Sequence, residues 1–158
     1  MLRLADPKTS VTLIELFRER TRTVLIQDFA NGGTLQGLLE RRRGPLRESE
    51  VQLVMQKLTQ GLNQLYQRKV IHRDINITNI MLHFKQLEPT EEELQDPELV
   101  KKMESKRKEL VKDLTKVDFE VKITDYGLSR FLLKGERADT LCGKVEVMAP
   151  EAMEAGFD

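Results

Sequence analysis

The chain has 158 residues, of which 39% are apolar and 33% are charged, and this composition is typical of a soluble globular domain. Its 26 basic and 26 acidic residues cancel, so the net charge gives no reason to expect nucleic acid or an anionic membrane as a partner. No apolar run approaches the roughly 18 residues of a membrane span. The N-terminus lacks a signal-peptide layout, and a lone cysteine, Cys142, excludes an internal disulfide. These features predict a cytoplasmic, intracellular protein.

Two strands are predicted first. Residues 11–17 alternate apolar and polar side chains, and residues 23–29 are rich in β-branched residues. The charged connection between them, residues 18–22, is short enough for an antiparallel hairpin. Asn31-Gly32-Gly33 then interrupts regular structure.

Two helices follow. A short one is indicated by Leu35, Leu38 and Leu39, ahead of Gly44-Pro45. The longest helical pattern of the chain comes next, with apolar residues at i, i+3, i+4, i+7, i+11, i+14 and i+15. These residues are Val51, Val54, Met55, Leu58, Leu62, Leu65 and Tyr66.

Residues 85–120 are different in character, since charged side chains dominate them. Thr90 and Glu93 form a capping-box pattern, and Asp96-Pro97 is a second helix-start signal. We therefore predict an amphipathic helix over residues 97–116, with Leu99, Met103, Leu110, Leu114 and Val117 on one side. Two interpretations stay open: a solvated insert helix that packs on its own domain, or a docking helix for a partner.

The clearest chemical pattern is His72-Arg73-Asp74, with Asn79 five residues after the aspartate. This is the spacing of a protein-kinase catalytic loop. An aspartate on a rigid loop can accept the proton of a substrate hydroxyl, and the asparagine can turn back to hold a magnesium ion. A strand-like stretch then delivers Asp125-Tyr126-Gly127, and Met148-Ala149-Pro150-Glu151 follows.

With Asn31-Gly32-Gly33-Thr34-Leu35, these signatures stand in the order found in eukaryotic protein kinases, and the chain resembles the Ser/Thr type of that family. The resemblance implies an α+β, protein-kinase-like fold that is partial. Its parts would be a small-lobe remnant of two antiparallel strands with the hinge strand (1–29), and large-lobe helices with the catalytic loop (30–84). A charged helical insert (85–120) and the Asp-Tyr-Gly and activation segment (121–158) would complete it. The implied reaction is transfer of the ATP γ-phosphoryl group to Ser or Thr hydroxyls of a protein substrate, with Mg²⁺.

The resemblance also assigns roles around the reacting groups. Asp74 corresponds to the catalytic base, and Asn79 and Asp125 correspond to the two magnesium ligands. His72 and Tyr126 correspond to residues that stack in the hydrophobic spine of active kinases.

On the purine side, the Asp28 carbonyl and the Ala30 amide correspond to the hinge groups that bind adenine. Gln27 corresponds to the gatekeeper, and Met81 to the residue that packs beneath the purine.

Regulation is implied by three further positions. Arg73 corresponds to the arginine that receives an activation-loop phosphate, and Arg130 to a second basic partner. Thr140 is the candidate phosphosite, where a phosphate would gain hydrogen bonds from both arginines. The alternative is an unmodified surface threonine.

The chain also departs from the family. Its glycines never give G-x-G-x-x-G, and the strand lysine that grips the phosphates is not among the 158 residues. Asn76 stands where the family has lysine, and Lys144 where it has threonine. We hypothesise that Lys144 supplies the positive charge that Asn76 lacks; the alternative is drift in a chain no longer selected for catalysis.

Three interpretations therefore remain: a Ser/Thr kinase represented by a partial catalytic domain, a non-catalytic kinase-like binding module, and a truncated product without a stable fold. The last of these predicts exposed apolar surface along the 51–66 stripe.

Overall fold

The computed structural model describes residues 6–42, 44–132, 142–150 and 153. In chain order the strands and helices are β1 Leu13–Arg18, β2 Thr23–Gln27, β3 Gly33–Thr34, α1 Leu35–Arg42, α2 Glu48–Gln67, β4 Val70–Ile71, β5 Ile80–His83, α3 Leu99–Leu110, β6 Glu120–Ile123 and β7 Arg130–Phe131. Short 3-10 turns lie at Lys85–Leu87, Glu93–Gln95, Leu114–Lys116, Tyr126–Leu128 and Val145–Val147.

The predicted hairpin is present. β1 and β2 pair antiparallel, with Phe17 opposite Val24 and a register irregularity between Leu13 and Glu15. A two-stranded ribbon is marginal alone, so its attachment matters. The Val11 amide donates to the Ile123 carbonyl at 2.9 Å, and the Ile123 amide donates to Thr9 at 2.9 Å. These bonds fasten the start of the hairpin to β6.

A three-stranded antiparallel sheet in the order β3-β5-β6 supports the centre of the fold. Helix α2 packs on it through Val54, Leu58 and Leu65, which are buried among the core side chains. Met55 and Tyr66 on the same predicted stripe are 51% and 69% exposed. The stripe is therefore covered along only part of its width.

The insert helix is shorter than predicted, which corrects the 97–116 range to Leu99–Leu110. At its start the Asp96 carboxylate accepts the Glu98 amide at 2.8 Å and holds that residue in a turn ahead of the helix. At its end the Asp113 carboxylate accepts the Thr115 amide and begins a separate 3-10 turn. Side-chain hydrogen bonds to the backbone thus compete with helix continuation at both ends.

The apolar side of the predicted helix is consequently divided. Met103 and Leu110 lie on α3 and are half-buried, whereas Leu114 reaches the core from the following turn. This agrees with a helix that packs on its own domain; docking of a partner on the insert stays a prediction. The capping box is also present, with the Thr90 amide bonded to the Glu93 carboxylate at 2.9 Å, but it begins a 3-10 turn.

A buried carboxylate joins the insert to the lobe. Glu50 is 0% exposed and accepts hydrogen bonds from Arg42 at 2.8 Å, from the Arg47 amide at 2.9 Å and from the Leu114 amide at 3.0 Å. Burial raises the pKa of Glu50, but the hydrogen bonds from Arg42, Arg47 and Leu114 outweigh it and hold that pKa well below its usual range. Glu50 therefore stays charged and ties three segments together.

Within the described ranges, no helix combines the length and the apolar character needed to cross a bilayer.

Candidate active site

The catalytic-loop motif lies between β4 and β5, and His72 anchors its start. The buried His72 ring lies 2.9 Å from the Thr124 carbonyl through Nε2, and its centroid is 5.0 Å from that of Tyr126, edge to face. Burial lowers the pKa of His72, against the raising effects of the Thr124 hydrogen bond and the charges of Asp74 and Asp125. Neutral His72 donates from Nε2, and Nδ1 accepts the Asp74 amide at 3.3 Å. The predicted contact of His72 with Tyr126 is present, in an edge-to-face arrangement. A structural role for this histidine stays a prediction.

Asp74 is held from both sides by carboxamides. Its Oδ1 accepts a hydrogen bond from Asn76 Nδ2 at 3.0 Å, and its Oδ2 accepts one from Asn79 Nδ2 at 2.7 Å. The same two nitrogens also donate to the Asp74 carbonyl, at 3.1 and 2.9 Å. The carboxylate is thus fixed in one orientation while half-buried, as a group that must meet a substrate hydroxyl requires.

Asn76 and Lys144 meet at a shared neighbour, Thr78. The Asn76 Oδ1 accepts the Thr78 amide at 2.9 Å and also its hydroxyl. Lys144 Nζ donates to that hydroxyl at 3.1 Å. The positive charge of Lys144 therefore lies three hydrogen bonds from the Asp74 carboxylate, through Thr78 and Asn76, which is the neighbourhood that the sequence hypothesis required. Its role in catalysis stays a prediction.

Gly143 brings the segment before Lys144 against the catalytic loop. Its φ of +105° lies in the region that favours glycine. A Cβ there would overlap the Arg73 carbonyl oxygen and lie 3.8 Å from Asp74 Oδ1. We did not predict this contact; the one sequence signal for it is a glycine directly before the substituted lysine.

Asp125 is brought to the loop by its neighbour Thr124. The Thr124 amide donates to the Asn79 carbonyl at 3.0 Å, while the Thr124 carbonyl accepts from His72. Asp125 itself is exposed, has a φ of +60°, and accepts the Gly127 amide at 3.3 Å. A backbone hydrogen bond thus ties Asn79, one predicted magnesium ligand, to Thr124, the residue before the other predicted ligand, Asp125.

These two ligands fit a magnesium ion chemically. Asn79 uses its nitrogen on Asp74; its Oδ1 accepts the Thr78 hydroxyl at 3.3 Å and has a second lone pair for a metal ion, and Asp125 adds an exposed carboxylate. Among the described residues no group of three His, Cys, Asp or Glu side chains is placed to hold a metal. Magnesium is commonly bound by one or two carboxylates together with substrate phosphates and water, so a sparse protein donor set is compatible with it.

The predicted purine residues are linked through Lys122. Gln27 ends β2, and the next residue, Asp28, accepts Lys122 Nζ at 3.0 Å through Oδ2. Its other oxygen accepts the amide and the hydroxyl of Thr12. Lys122 lies opposite Met81 in the β5–β6 ladder. The hinge residue and the residue predicted beneath the purine are therefore joined by one buried lysine, while Ala30 is buried at the hinge exit.

Residues 1–156 match the family model of the protein kinase domain. The chain belongs to the protein kinase family. Three curated relatives are serine/threonine-protein kinase 33 of Mus musculus (23% identical over 98% of this chain), putative ribosomal protein S6 kinase alpha-2 of Caenorhabditis elegans (29% over 98%) and DNA damage response protein kinase DUN1 of Saccharomyces cerevisiae (31% over 73%). The chain spans 27%, 16% and 20% of their respective lengths. The predicted family and the partial α+β kinase fold are confirmed.

Two of the three residues predicted to be regulatory lie in the described part of the chain. Arg73 Nε donates to the Leu128 carbonyl at 2.6 Å, and Arg130 pairs with Ile71 across β4 and β7. Arg130 thus lies in this short ladder, and Arg73 follows its β4 strand by two residues. The candidate phosphosite, Thr140, lies outside the described residues, so its part in the prediction rests on sequence.

The sequence did not predict the contact between Lys122 and the predicted hinge residue Asp28. Lys122 lies 94 residues from Asp28, and no spacing rule relates the two. The available signal was indirect: Lys122 stands between the apolar Val121 and Ile123 in β6, and a lysine must find a partner when it is buried.

Proposed function

We propose that this chain forms part of the catalytic domain of an ATP-dependent Ser/Thr protein kinase, which transfers the γ-phosphoryl group of ATP to hydroxyls of protein substrates. The observation that carries the proposal is the Asp74 carboxylate, held by the Asn76 and Asn79 carboxamides on a loop tied to Asp125. The family match and the printed names of the relatives support the same reaction class.

In this proposal Asp74 orients the acceptor hydroxyl and accepts its proton as the hydroxyl oxygen attacks. The two carboxamide hydrogen bonds keep the carboxylate from turning away, and this lowers the entropic cost of reaching the reactive geometry. Asn79 would hold magnesium through Oδ1 and Asp125 through its carboxylate. A bound Mg²⁺ neutralises charge on the phosphates.

Adenine would lie against the hinge. The Asp28 carbonyl and the Ala30 amide supply the acceptor and donor, Met81 packs beneath the ring, and Gln27 limits the pocket behind it. The attachment of Asp28 to Lys122 and Thr12 supports this part, since it fixes the hinge backbone against β6.

The charge normally supplied by the family's lysine would come from Lys144. In its present position the Lys144 ammonium reaches Thr78, next to the hydrogen-bonded Asn76. A shift of its flexible stem would bring it to the transferring phosphoryl group, where positive charge stabilises the transition state.

A second candidate is a non-catalytic kinase-like module. Asn76 favours it, because both ends of its carboxamide are used to brace the loop and it brings no charge to the site. The Gly-rich loop and the strand lysine are also not among these 158 residues, so phosphate binding would depend on groups outside them.

The test is phosphoryl transfer to a general Ser/Thr protein substrate by the full-length protein, with Asp74→Asn as the variant and Asp118→Asn as the control. Asp118→Asn is the same chemical change, from a carboxylate to a carboxamide, at an exposed position away from the catalytic loop. We expect Asp74→Asn to lower kcat by about 10²- to 10⁴-fold and Asp118→Asn to leave it unchanged. Equal rates for both variants would contradict the proposed role of Asp74.

A wild-type protein without activity would instead favour the non-catalytic module. The 158-residue chain alone should show no thermal stabilisation by ATP and magnesium, because the Gly-rich loop and the strand lysine that bind the phosphates in the family are not among its residues. A clear stabilisation would mean that the chain binds the nucleotide without those groups.

A further inference from the structure

A basic pocket lies between α1 and the insert helix, away from the catalytic loop. It has a volume of about 450 Å³ and is lined by Arg41, Arg42, Lys108, Val111 and Lys112. Four of the five lining residues are cations, and none is acidic. We call this cavity the α1–α3 basic pocket.

Internal carboxylates satisfy only two of these cations. Arg42 is paired with the buried Glu50 at 2.8 Å, and Lys112 is paired with Glu109 at 2.7 Å. Arg41 instead donates to a neutral group, the Gly32 carbonyl, at 3.1 Å. Lys108 makes no ion pair within the described part of the chain. The pocket therefore retains positive charge that the protein does not neutralise.

A fifth cation, Arg107, adds to the positive charge near the α1–α3 basic pocket. Arg107 precedes Lys108 on α3; its Nη2 pairs with Glu104 at 3.3 Å, while its Nε is buried without a hydrogen-bond partner among the described residues. Burial lowers the pKa of Arg41, and the charge of Arg107 lowers it further, only partly opposed by Glu40 and Glu104. Like charges held together in this way are unfavourable, and an anion in the pocket would relieve the repulsion.

The shape and surroundings of the pocket favour a compact anion. A membrane surface or a nucleic acid backbone needs an extended basic face. Here acidic residues interrupt the outer face of α3, since Glu104 and Glu109 each pair with a neighbouring cation. The unneutralised charge is confined to one concavity, with the buried Val111 in its lining.

We propose that the α1–α3 basic pocket binds a phosphate monoester carried by a phosphorylated Ser or Thr of a peptide. Arg41 and Lys108 are the principal ligands, because a guanidinium and an ammonium without carboxylate partners can turn to the phosphate oxygens. Arg41 also connects the pocket to the hinge exit through the Gly32 carbonyl.

The probe is a degenerate peptide library with one fixed phosphoserine or phosphothreonine, measured by titration calorimetry against the 158-residue chain. The unphosphorylated library and inorganic phosphate are titrated in parallel. We expect the phosphorylated library to bind at least tenfold more tightly than the unphosphorylated one, and inorganic phosphate to compete for the same site.

Lys108→Gln should weaken phosphopeptide binding at least fivefold, and Arg41→Gln with Lys108→Gln should abolish it. Lys101→Gln is the matched control, since Lys101 lies on the same helix and outside the pocket. Because Arg41 also contacts the backbone, the single Lys108→Gln variant keeps the test valid if the double variant fails to fold.

Three results would overturn the proposal. They are equal binding of the two libraries, unchanged binding by Lys108→Gln, and binding only to anionic lipid vesicles or to nucleic acid. None of these measurements involves phosphoryl transfer, so their outcome is independent of whether the protein is an active kinase.

Discussion

The ion pair between Asp28 and Lys122 makes the sharpest prediction about the nucleotide side of the site. The Lys122 side chain is 7% exposed and that of Asp28 is 25% exposed, with 3.0 Å between Nζ and Oδ2. Glu120 is the other carboxylate near the ammonium, at 3.7 Å. The perturbation is Asp28→Asn, which keeps the side-chain shape and removes the charge.

Removing one partner of a fully buried pair costs about 3–5 kcal/mol, because the other charge is left without compensation. Glu120 remains within reach of Lys122, so we expect a smaller loss for Asp28→Asn, about 2–3 kcal/mol of unfolding free energy. Lys122→Met should cost less, about 1 kcal/mol of unfolding free energy, because it leaves no buried charge. The Asp28 carboxylate that loses its partner is partly solvated and still accepts a hydrogen bond from Thr12.

Urea unfolding of the two variants measures these differences, and Asp118→Asn at an exposed position is the control. Amide hydrogen exchange at Ala30 adds a local measurement, because a loosened hinge should exchange faster even where global stability changes little. The reasoning is refuted if Asp28→Asn matches the wild-type midpoint, or if Lys122→Met is the more damaging change.

Three further predictions concern the loop, the insert and the activation segment. Lys144→Ala in the full-length protein should abolish residual phosphoryl transfer, and Asn76→Lys should restore it; unchanged activity of Lys144→Ala would remove the compensation hypothesis. Because the pKa of Glu50 is lowered on folding, its stabilisation is complete above its ordinary pKa near 4.5 and is lost as the pH falls. The urea midpoint of the wild type should therefore decrease as the pH is lowered below about 4.5, and that of Glu50→Gln should decrease less steeply. At neutral pH, Glu50→Gln should cost about 3 kcal/mol of unfolding free energy. Gly143→Ala should lower kcat at least tenfold by displacing the segment from the loop, whereas Gly44→Ala, where a Cβ meets nothing within 4 Å, should be neutral.

The catalytic loop could be predicted from sequence because its chemistry is local. His72, Asp74 and Asn79 lie within eight residues, and their mutual hydrogen bonds follow from that spacing. The amphipathic period likewise located α2, since a continuous apolar stripe is visible in the sequence itself.

The contacts that fasten these parts could not be predicted in the same way. Glu50 bonds the Leu114 amide across 64 residues, and nothing in the local pattern of either segment refers to the other. The end of α3 was missed for a related reason. The apolar spacing continues to Leu114, but the Asp113 carboxylate accepts the Thr115 amide, and this hydrogen bond competes with continuation of the helix. The apolar period of the sequence carries no information about such side-chain hydrogen bonds.

The pairing of β5 with β6 has a consequence for how the length of the insert can vary. The insert is enclosed between these two strands, whose ends carry Asn79 and Asp125, and the Thr124 amide closes the loop on Asn79. Closing a flexible loop of twice the length costs only about 0.6 kcal/mol more. The exposed first part of the insert, residues 88–98, can therefore lengthen or shorten at little thermodynamic expense, while Asn79 and Asp125 keep their separation.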